Sequence, residues 1–170
     1  MKHYPKEFEI IINDIIHNET VQKMKQFKQH YNTSCFEHCL HVSYFNYILC
    51  KKLHLNYTAA ARAGMLHDLF LYDWRERQPD RKGLHAFTHP QSALENSKKI
   101  FELSTLEEDI ILKHMWPVTF KLPKYPESYI ITLTDKFSAI YESCKYYNYY
   151  LKKINFKKIP QAIYTLLFII

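Results

Sequence analysis

The stretch Ala60-Ala61-Arg62-Ala63-Gly64-Met65-Leu66-His67-Asp68-Leu69 decides the fold of this chain of 170 residues. Its small residues lie along one side of a predicted helix, and such residues let neighbouring helices approach closely. The helix ends in the adjacent pair His67-Asp68, which has apolar residues on both sides. A buried carboxylate is costly unless it is compensated, and a divalent metal bound by imidazole and carboxylate is a common compensation. The rest of the chain should therefore supply further metal ligands.

The composition favours one all-α domain that spans residues 1–170. Two glycines and seven prolines are too few for the many tight turns of a strand-rich fold, while 14 Tyr and 11 Phe suit large helix–helix contacts. The net charge of +6 indicates an anionic partner. Because the basic residues are scattered and no run of five Lys or Arg occurs, a phosphorylated small molecule is favoured over a nucleic acid polymer.

The sequence also predicts where the protein works. The N-terminus is charged and polar and has no visible signal peptide, which favours a cytoplasmic protein. Cys35 and Cys39 lie one helical turn apart and are expected to be buried free thiols. The apolar run Ile163–Ile170 is shorter than the roughly 20 residues that a membrane span needs. We expect it to close the fold as part of a C-terminal helical tail of about residues 151–170, with a partner surface as the alternative, and a homodimer is possible.

Apolar periodicity and capping residues predict a series of helices. Between residues 70 and 87 the periodicity is lost, which predicts an Arg-rich loop or an irregular helical excursion. The predicted helices cover Pro5–Asn18, Thr20–His30, Cys35–Leu53, Asn56–Asp68, Thr88–Phe101 with Thr88 as N-cap, Ser104–Trp116, Ser128–Tyr149 and a final helix from Pro160.

Four further residues could complete a metal site, each on a different predicted helix. His38 lies on an otherwise apolar stripe, where the alternative to a ligand is a packed core histidine. His89 is predicted in the first turn of its helix, His114 in the last turn of its helix, and Asp135 in an otherwise apolar turn. Helical proteins build two-metal sites from side chains on facing helices. Together with the pair that ends the opening stretch, these residues give six candidate ligands.

The order of these candidates, His … His-Asp … His … His … Asp, resembles the HD superfamily of metal-dependent phosphohydrolases in its six-ligand, two-metal form. The local sequences around the candidates are also similar to that family. The matching stretches are Glu37-His38 with Val42, Ala63-Gly64-Met65-Leu66-His67-Asp68, His89 with Ala93, Lys113-His114, and Thr134-Asp135-Lys136 with Ala139. The resemblance covers about residues 30–145 and implies a single compact HD-type helical domain with flanking N- and C-terminal helices.

The resemblance also implies a role for each ligand. One metal would be held by four residues, His38, His67, Asp68 and Asp135. Asp68 would bridge to a second metal completed by His89 and His114, and His67 and Asp68 would be the catalytic residues. A hydroxide held between two divalent transition-metal ions (Fe, Mn or Zn) would attack phosphorus. Histidine-rich ligation argues against magnesium. The alternative is a one-metal site in which His89 and His114 contact the substrate phosphate.

The chain departs from the family pattern after the His-Asp pair. Leu69-Phe70-Leu71-Tyr72 stands where the family often has Ile-Gly-Lys, so a phosphate-binding lysine is missing there. Arg75, Arg77 or Lys82 is expected to take over that contact, and Lys136 is a further candidate. For all four, the alternative is a solvated surface side chain.

The sequence therefore predicts a metal-dependent phosphohydrolase that cleaves a phosphate ester of a nucleotide or a related small molecule. Two other functions stay open at this point. A di-iron oxygenase could use the same fold and the same ligands. A nucleotide-binding sensor without turnover could use them too, although a sensor has little need of six ligands.

Overall fold

The computed structural model of the chain describes residues 4–76 and 83–153, with side chains as far as residue 150. Within these ranges seven α-helices and a two-stranded ribbon enclose one main hydrophobic core, and the all-α prediction is confirmed. The helices are α1 (Lys6–Ile16), α2 (Glu19–Gln22), α3 (Cys35–Lys52), α4 (Tyr57–Leu66), α5 (His85–Lys98), α6 (Thr105–Lys113) and α7 (Pro126–Lys153). Apart from the end of α7, the predicted tail of residues 151–170 lies outside the described residues.

Capping side chains set the starts of three helices as the sequence predicts. Ser34 before α3 and Ser104 before α6 each form a capping box with the glutamate three residues later. Asn56 accepts a hydrogen bond from the backbone of Ala59 at the start of α4. These starts matter for function because α3, α4 and α6 each carry or end in a candidate ligand.

The predicted helix over Thr20–His30 is wrong in its second half. After α2, a 3₁₀ turn covers Lys23–Gln26, and the chain then becomes strand β1 (Lys28–His30), which pairs antiparallel with β2 (Thr33–Ser34). Alternation along β1 turns Gln29 inward and buries it between two more exposed neighbours. In this strand, where the local sequence predicts a helix, the Gln29 side chain donates a long-range hydrogen bond to Asp68.

The predicted N-cap at Thr88 is also wrong. Helix α5 begins one turn earlier, at His85, and the Thr88 hydroxyl donates to the carbonyl of Leu84 (3.2 Å) instead of capping a helix. His89 therefore lies beyond the first turn of α5, and the prediction that it lies in the first turn is also wrong. The extra turn provides a backbone carbonyl, that of His85, directly beneath the His89 ring.

Helices α3 and α4 pack closely at Gly64, as the small residues of α4 predict. A methyl group at that position would lie 2.8 Å from the Cα of Ser43 and 2.9 Å from the side-chain nitrogen of Asn46. Cys35 and Cys39, both buried in α3, are free thiols as expected. In the described part of the chain, none of the helices combines the length and hydrophobicity that a membrane crossing needs.

Candidate metal centre

The structure brings all six candidate ligands into one cluster at the centre of the helices. His38 lies in α3, His89 in α5 and Asp135 in α7, while His67 and His114 occupy the C-caps of α4 and α6 and Asp68 follows His67. Five of the six are buried, and the side chain of Asp135 is the most accessible at 15% exposure. A buried group of four imidazoles and two carboxylates is a donor set that could hold metal ions.

The two carboxylate oxygens of Asp68 divide the cluster into two adjoining donor sets. Its Oδ1 lies 3.3 Å from Nε2 of His89 and 3.6 Å from Nε2 of His114. Its Oδ2 lies 3.5 Å from Nε2 of His67. One donor set therefore contains Asp68, His89 and His114, and its three donor atoms lie within 4.8 Å of one another.

The second donor set is completed from α3 and α7. Oδ1 of Asp135 lies 3.0 Å from Nε2 of His38 and 3.7 Å from Nε2 of His67. His38, His67 and Asp68 likewise have donor atoms within 4.8 Å of one another. The Asp68 carboxylate thus faces both sets, one oxygen to each side, as a bridging ligand between two ions would.

All four histidines are held through Nδ1, which leaves Nε2 directed into the cluster. Three rings bond to backbone carbonyls, and because a carbonyl only accepts, each of these Nδ1 atoms carries the hydrogen. The pairs are His67 with Gly64, His89 with His85, and His114 with Ile111, each at 2.8 Å. The fourth ring, that of His38, bonds through Nδ1 to the Glu142 carboxylate at 3.2 Å. Metal-ligating histidines are typically oriented in this way.

Two of these Nε2 atoms face each other at short range. Nε2 of His89 and Nε2 of His114 are 2.8 Å apart, and in neutral rings both carry lone pairs because both hydrogens are on Nδ1. Burial is the main cause that lowers the pKa of His114 to about 3, and the nearby imidazoles of His89 and His67 add to this effect. The His114 ring is therefore neutral near pH 7. A metal ion bound between the two nitrogens would relieve this repulsion.

Two buried atoms of the cluster have no hydrogen-bond partner within the described residues, Nε2 of His67 and Oδ1 of Asp68. A buried polar atom without a partner typically costs about 1–3 kcal/mol. Both atoms are good metal donors, and both point to the interior of the cluster. The residues present therefore fit a bound metal better than a purely structural polar core.

Charge pairing inside the cluster shifts the pKa values of its members in opposite directions. Burial acts to lower the pKa of His38, but hydrogen bonds to Asp135 and Glu142 outweigh it and raise the pKa well above the usual value. Burial also acts to lower the pKa of His67, but the charge of Asp68 and smaller contributions from Cys39 and Asp135 together outweigh it and raise the pKa well above the usual value. The facing imidazoles hold the pKa of both Asp68 and Asp135 below the usual range despite burial. Metal binding at these donors must therefore displace protons from imidazoles.

Three residues around the cluster were not assigned a role from the sequence. The Gln29 side chain donates from Nε2 to Oδ2 of Asp68 (2.5 Å), and Glu142 accepts from His38 and from His41 (3.1 Å). The His30 ring packs edge-on against His38, with ring centroids 5.1 Å apart. Glu142 lies seven residues after Asp135 on the same helix face, a spacing that could have indicated it. No local signal indicates Gln29, because its contact spans 39 residues.

The residues expected to bind phosphate lie at different places. Arg75 donates to the carbonyls of Lys28 and Gln29 (2.9 and 3.3 Å) and so supports strand β1. Lys136 donates to the carbonyls of Trp116 and Thr132, both at 3.2 Å. Both cations thus contact backbone carbonyls rather than the cluster. Arg77 and Lys82 lie outside the described residues.

Comparison of the chain with protein-family models, with curated proteins and with solved structures finds no match.

Proposed function

We propose that this protein is a metal-dependent phosphohydrolase of the HD type, which cleaves a phosphate ester of a nucleotide or a related small molecule. The observation that carries the proposal is the pair of adjoining donor sets that share the Asp68 carboxylate. A bridged pair of ions is a common device for phosphate ester hydrolysis. The order of the ligands along the chain, which resembles the HD superfamily, and the net charge of +6 support the same reading.

The proposal assigns the metal ligands by donor set. The first ion would be held by His38, His67, Asp68 and Asp135, and the second by Asp68, His89 and His114. When bound, two such ions lower the pKa of a coordinated water, neutralise phosphate oxygens and stabilise the leaving oxygen. Histidine-rich ligation favours iron, manganese or zinc over magnesium.

The surrounding residues of the chain keep these donors in place. Backbone carbonyls fix three imidazole rings and Glu142 fixes the fourth, so that Nε2 is the donor atom in each case. The Gln29 amide holds the Asp68 carboxylate at Oδ2. Asp135 is the most accessible of the ligands, with 15% of its side chain exposed, and it marks the side from which substrate would approach.

The first test is the metal content of protein purified without chelator, measured by mass spectrometry. We expect about two transition-metal ions per chain, and about one or fewer in Asp68→Asn, which removes the shared charge. His17→Ala is the matched control, because exposed His17 bonds to a carbonyl four residues earlier as His89 does, but lies outside the cluster. A chain that holds no ion even after reconstitution contradicts the proposal.

The second test is a substrate screen with the metal-loaded protein. It uses p-nitrophenyl phosphate as a monoester, bis(p-nitrophenyl) phosphate as a diester, and the nucleoside monophosphates. Hydrolysis that is lost in Asp68→Asn supports the proposal. Oxygen consumption without hydrolysis would favour the di-iron oxygenase, which needs the same donors, and tight nucleotide binding without turnover would favour the sensor.

A further inference from the structure

Helix α7 has apolar side chains on two opposite faces, and one of these faces is exposed. On the buried face, Ile131 packs in the main core. The opposite face carries a stripe of apolar residues at intervals of four and three positions, Leu133, Phe137 and Ile140, which are 68%, 57% and 63% exposed. Exposed Cys144 continues the stripe four residues after Ile140. A helix that is apolar on both faces is typical of a buried position, so this stripe should have a cover.

The exposed stripe continues onto α3 through an aromatic contact. The ring of Phe45 meets that of Phe137 edge to face, with centroids 5.7 Å apart. Leu49 lies one helical turn further along α3 and is 40% exposed. Between the two helices lies a groove of about 400 Å³, whose walls include Tyr44 and Tyr141. A contiguous apolar surface of this kind usually marks a place where another segment or protein packs. We call it the apolar outer face, and it consists of Phe45 and Leu49 of α3 and Leu133, Phe137, Ile140, Tyr141 and Cys144 of α7.

The sequence that follows α7 supplies an apolar segment of its own. Ile163–Ile170 contains six aliphatic or phenylalanine side chains and no charged side chain. In the helix predicted from Pro160, Ile163 and Leu167 fall on one side and Thr165 falls on the other. A segment this apolar is unfavourable in water unless it is buried, and it is too short to span a membrane. The chain therefore contains both an uncovered apolar face and an apolar segment that needs a place to pack.

The length of this segment matches the distance that it must cover. Leu133 lies about 30 Å along α7 from Lys153, the last residue of that helix. Residues 154–159 reach up to about 20 Å when they are extended, and a helix over residues 160–170 adds about 16 Å. A chain that turns back at the end of α7 can therefore run along the apolar outer face as far as Leu133. Because the segment is covalently attached, its effective concentration at this face is on the order of millimolar, which favours it over a second copy of the chain.

We propose that residues 160–170 dock on the apolar outer face of the same chain, as a helix antiparallel to α7. The apolar side of this helix fills the groove between α3 and α7, and residues 154–159 pass over Cys144. Asp135 and Glu142 lie about half a helical turn away from the stripe, on the opposite side of α7. The docked segment therefore supports the helix that carries a candidate metal ligand without contacting the ligands, and its docking can be measured independently of metal binding and hydrolysis.

Photo-cross-linking of the full chain tests where the segment docks. The photoreactive residue p-benzoylphenylalanine replaces Leu167, and the irradiated protein is digested with trypsin. We expect a cross-link between residues 159–170 and peptide 137–145, or another peptide that carries part of the apolar outer face, in a band of monomer mass. The same photoreactive residue in place of Thr165, on the other side of the predicted helix, should give little of this product. A cross-link found mainly in a covalent dimer means that a second copy covers the face, and a product without any peptide of that face means that the segment packs elsewhere. Either result overturns the proposal.

The rate at which N-ethylmaleimide alkylates Cys144 tests whether the face is covered. The other three cysteines of the chain are buried, so their protection from the reagent shows that a variant is folded. Leu167→Asp places a charge on the docking side and should speed alkylation of Cys144 at least about tenfold, the factor that corresponds to lost burial of one leucine side chain. Thr165→Asp adds the same charge on the outer side and should leave the rate unchanged. Equal rates in the wild type and in Leu167→Asp overturn the proposal.

Discussion

Gly64→Ala is expected to loosen the contact between α3 and α4. In an exposed helix interior, alanine is favoured over glycine by about 1 kcal/mol, so helix propensity alone predicts a gain in stability. Here the new methyl group would lie 2.8 Å from the Cα of Ser43 and 2.9 Å from a side-chain nitrogen of Asn46. The nearer atom belongs to the backbone and cannot move by rotation of a side chain, so the helices must separate by some tenths of an ångström.

The size of the effect follows from these two opposing contributions. Overpacking in a tight core costs about 1–3 kcal/mol, and contact with a backbone atom puts this site at the upper end. After subtraction of the propensity gain of about 1 kcal/mol, Gly64→Ala should lower the free energy of unfolding by about 2 kcal/mol. In a domain of this size that corresponds to a melting temperature lower by roughly 4–8 °C.

The same variant should also weaken metal binding. The Gly64 carbonyl accepts the hydrogen bond that holds the His67 ring, and α4 ends at the His67-Asp68 pair. Alanine keeps this carbonyl but displaces it with the helix, and because loss of an orienting contact typically costs 10–100-fold in metal affinity, we expect a decrease of up to that size. Competition with a chromophoric chelator measures the affinity, and urea unfolding of chelator-treated protein measures the stability without a contribution from bound metal.

A matched pair of variants gives the reference for helix propensity. Thr58 is exposed in α4, so Thr58→Ala and Thr58→Gly differ in helix preference with little change in packing. Their difference gives the preference for alanine over glycine at an exposed position in the first turn of the same helix. If Gly64→Ala is as stable as the wild type or more stable, the close approach of the two helices does not exist as described.

Four other predictions follow from the site. Gln29→Leu removes the amide bond to Asp68 and should lower metal affinity 10–100-fold in chelator competition, whereas unchanged affinity would mean that the amide does not orient the carboxylate. Ser138→Ala should leave the free energy of unfolding unchanged or raise it by about 1 kcal/mol, because it removes an unpaired buried hydroxyl, and a loss above 1 kcal/mol would reveal a protein partner. The raised pKa values of His38 and His67 mean that metal binding releases protons, so apparent affinity should rise with pH, and calorimetry in two buffers of different ionisation enthalpy should show the release. In the chelator-treated protein, the raised pKa values of His38 and His67 stabilise the fold below about pH 6.5, and the lowered pKa of Glu142 stabilises it above about pH 4.5. The lowered pKa of His114 costs stability as the pH falls below about 6.5, so urea midpoints should be highest in the upper part of this range, at roughly pH 6.

Much of the fold follows from local sequence. Periodic apolar residues give the helices, and Ser34, Asn56 and Ser104 are side chains that cap helix starts wherever the tertiary structure permits. Thr88 also has a side chain that could cap a helix, but α5 starts one turn earlier, so the local pattern does not determine the start of this helix. Pro90, which cannot donate a backbone hydrogen bond, is accommodated within the helix.

The candidate ligands could be selected from the sequence because they are histidines and aspartates at helix interiors and ends, in an order that resembles the HD superfamily. Whether they bind metal stays a prediction. The contacts of the supporting residues could not be predicted in this way, although the spacing of Glu142 from Asp135 places both on one helix face. Glu142 reaches His38 across 104 positions and Gln29 reaches Asp68 across 39, and no periodicity encodes a contact over such distances. Strand β1 is not predicted for the same reason. The local pattern of Thr20–His30 predicts a helix, whereas Gln29 bonds to a carboxylate that is distant in the sequence.

The hydrogen bonds that orient the His67 and His114 rings are local, and they leave Nε2 as the donor atom of each ring. Each ring is at the C-cap of its helix and bonds to a carbonyl three residues earlier, which is one of the carbonyls that a helix end leaves without a partner. A contact within one helical turn therefore determines which ring nitrogen carries the hydrogen, and no contact with another helix is needed for it. Substitutions elsewhere in the chain should therefore leave the orientation of these two rings unchanged, with Nε2 still directed into the cluster.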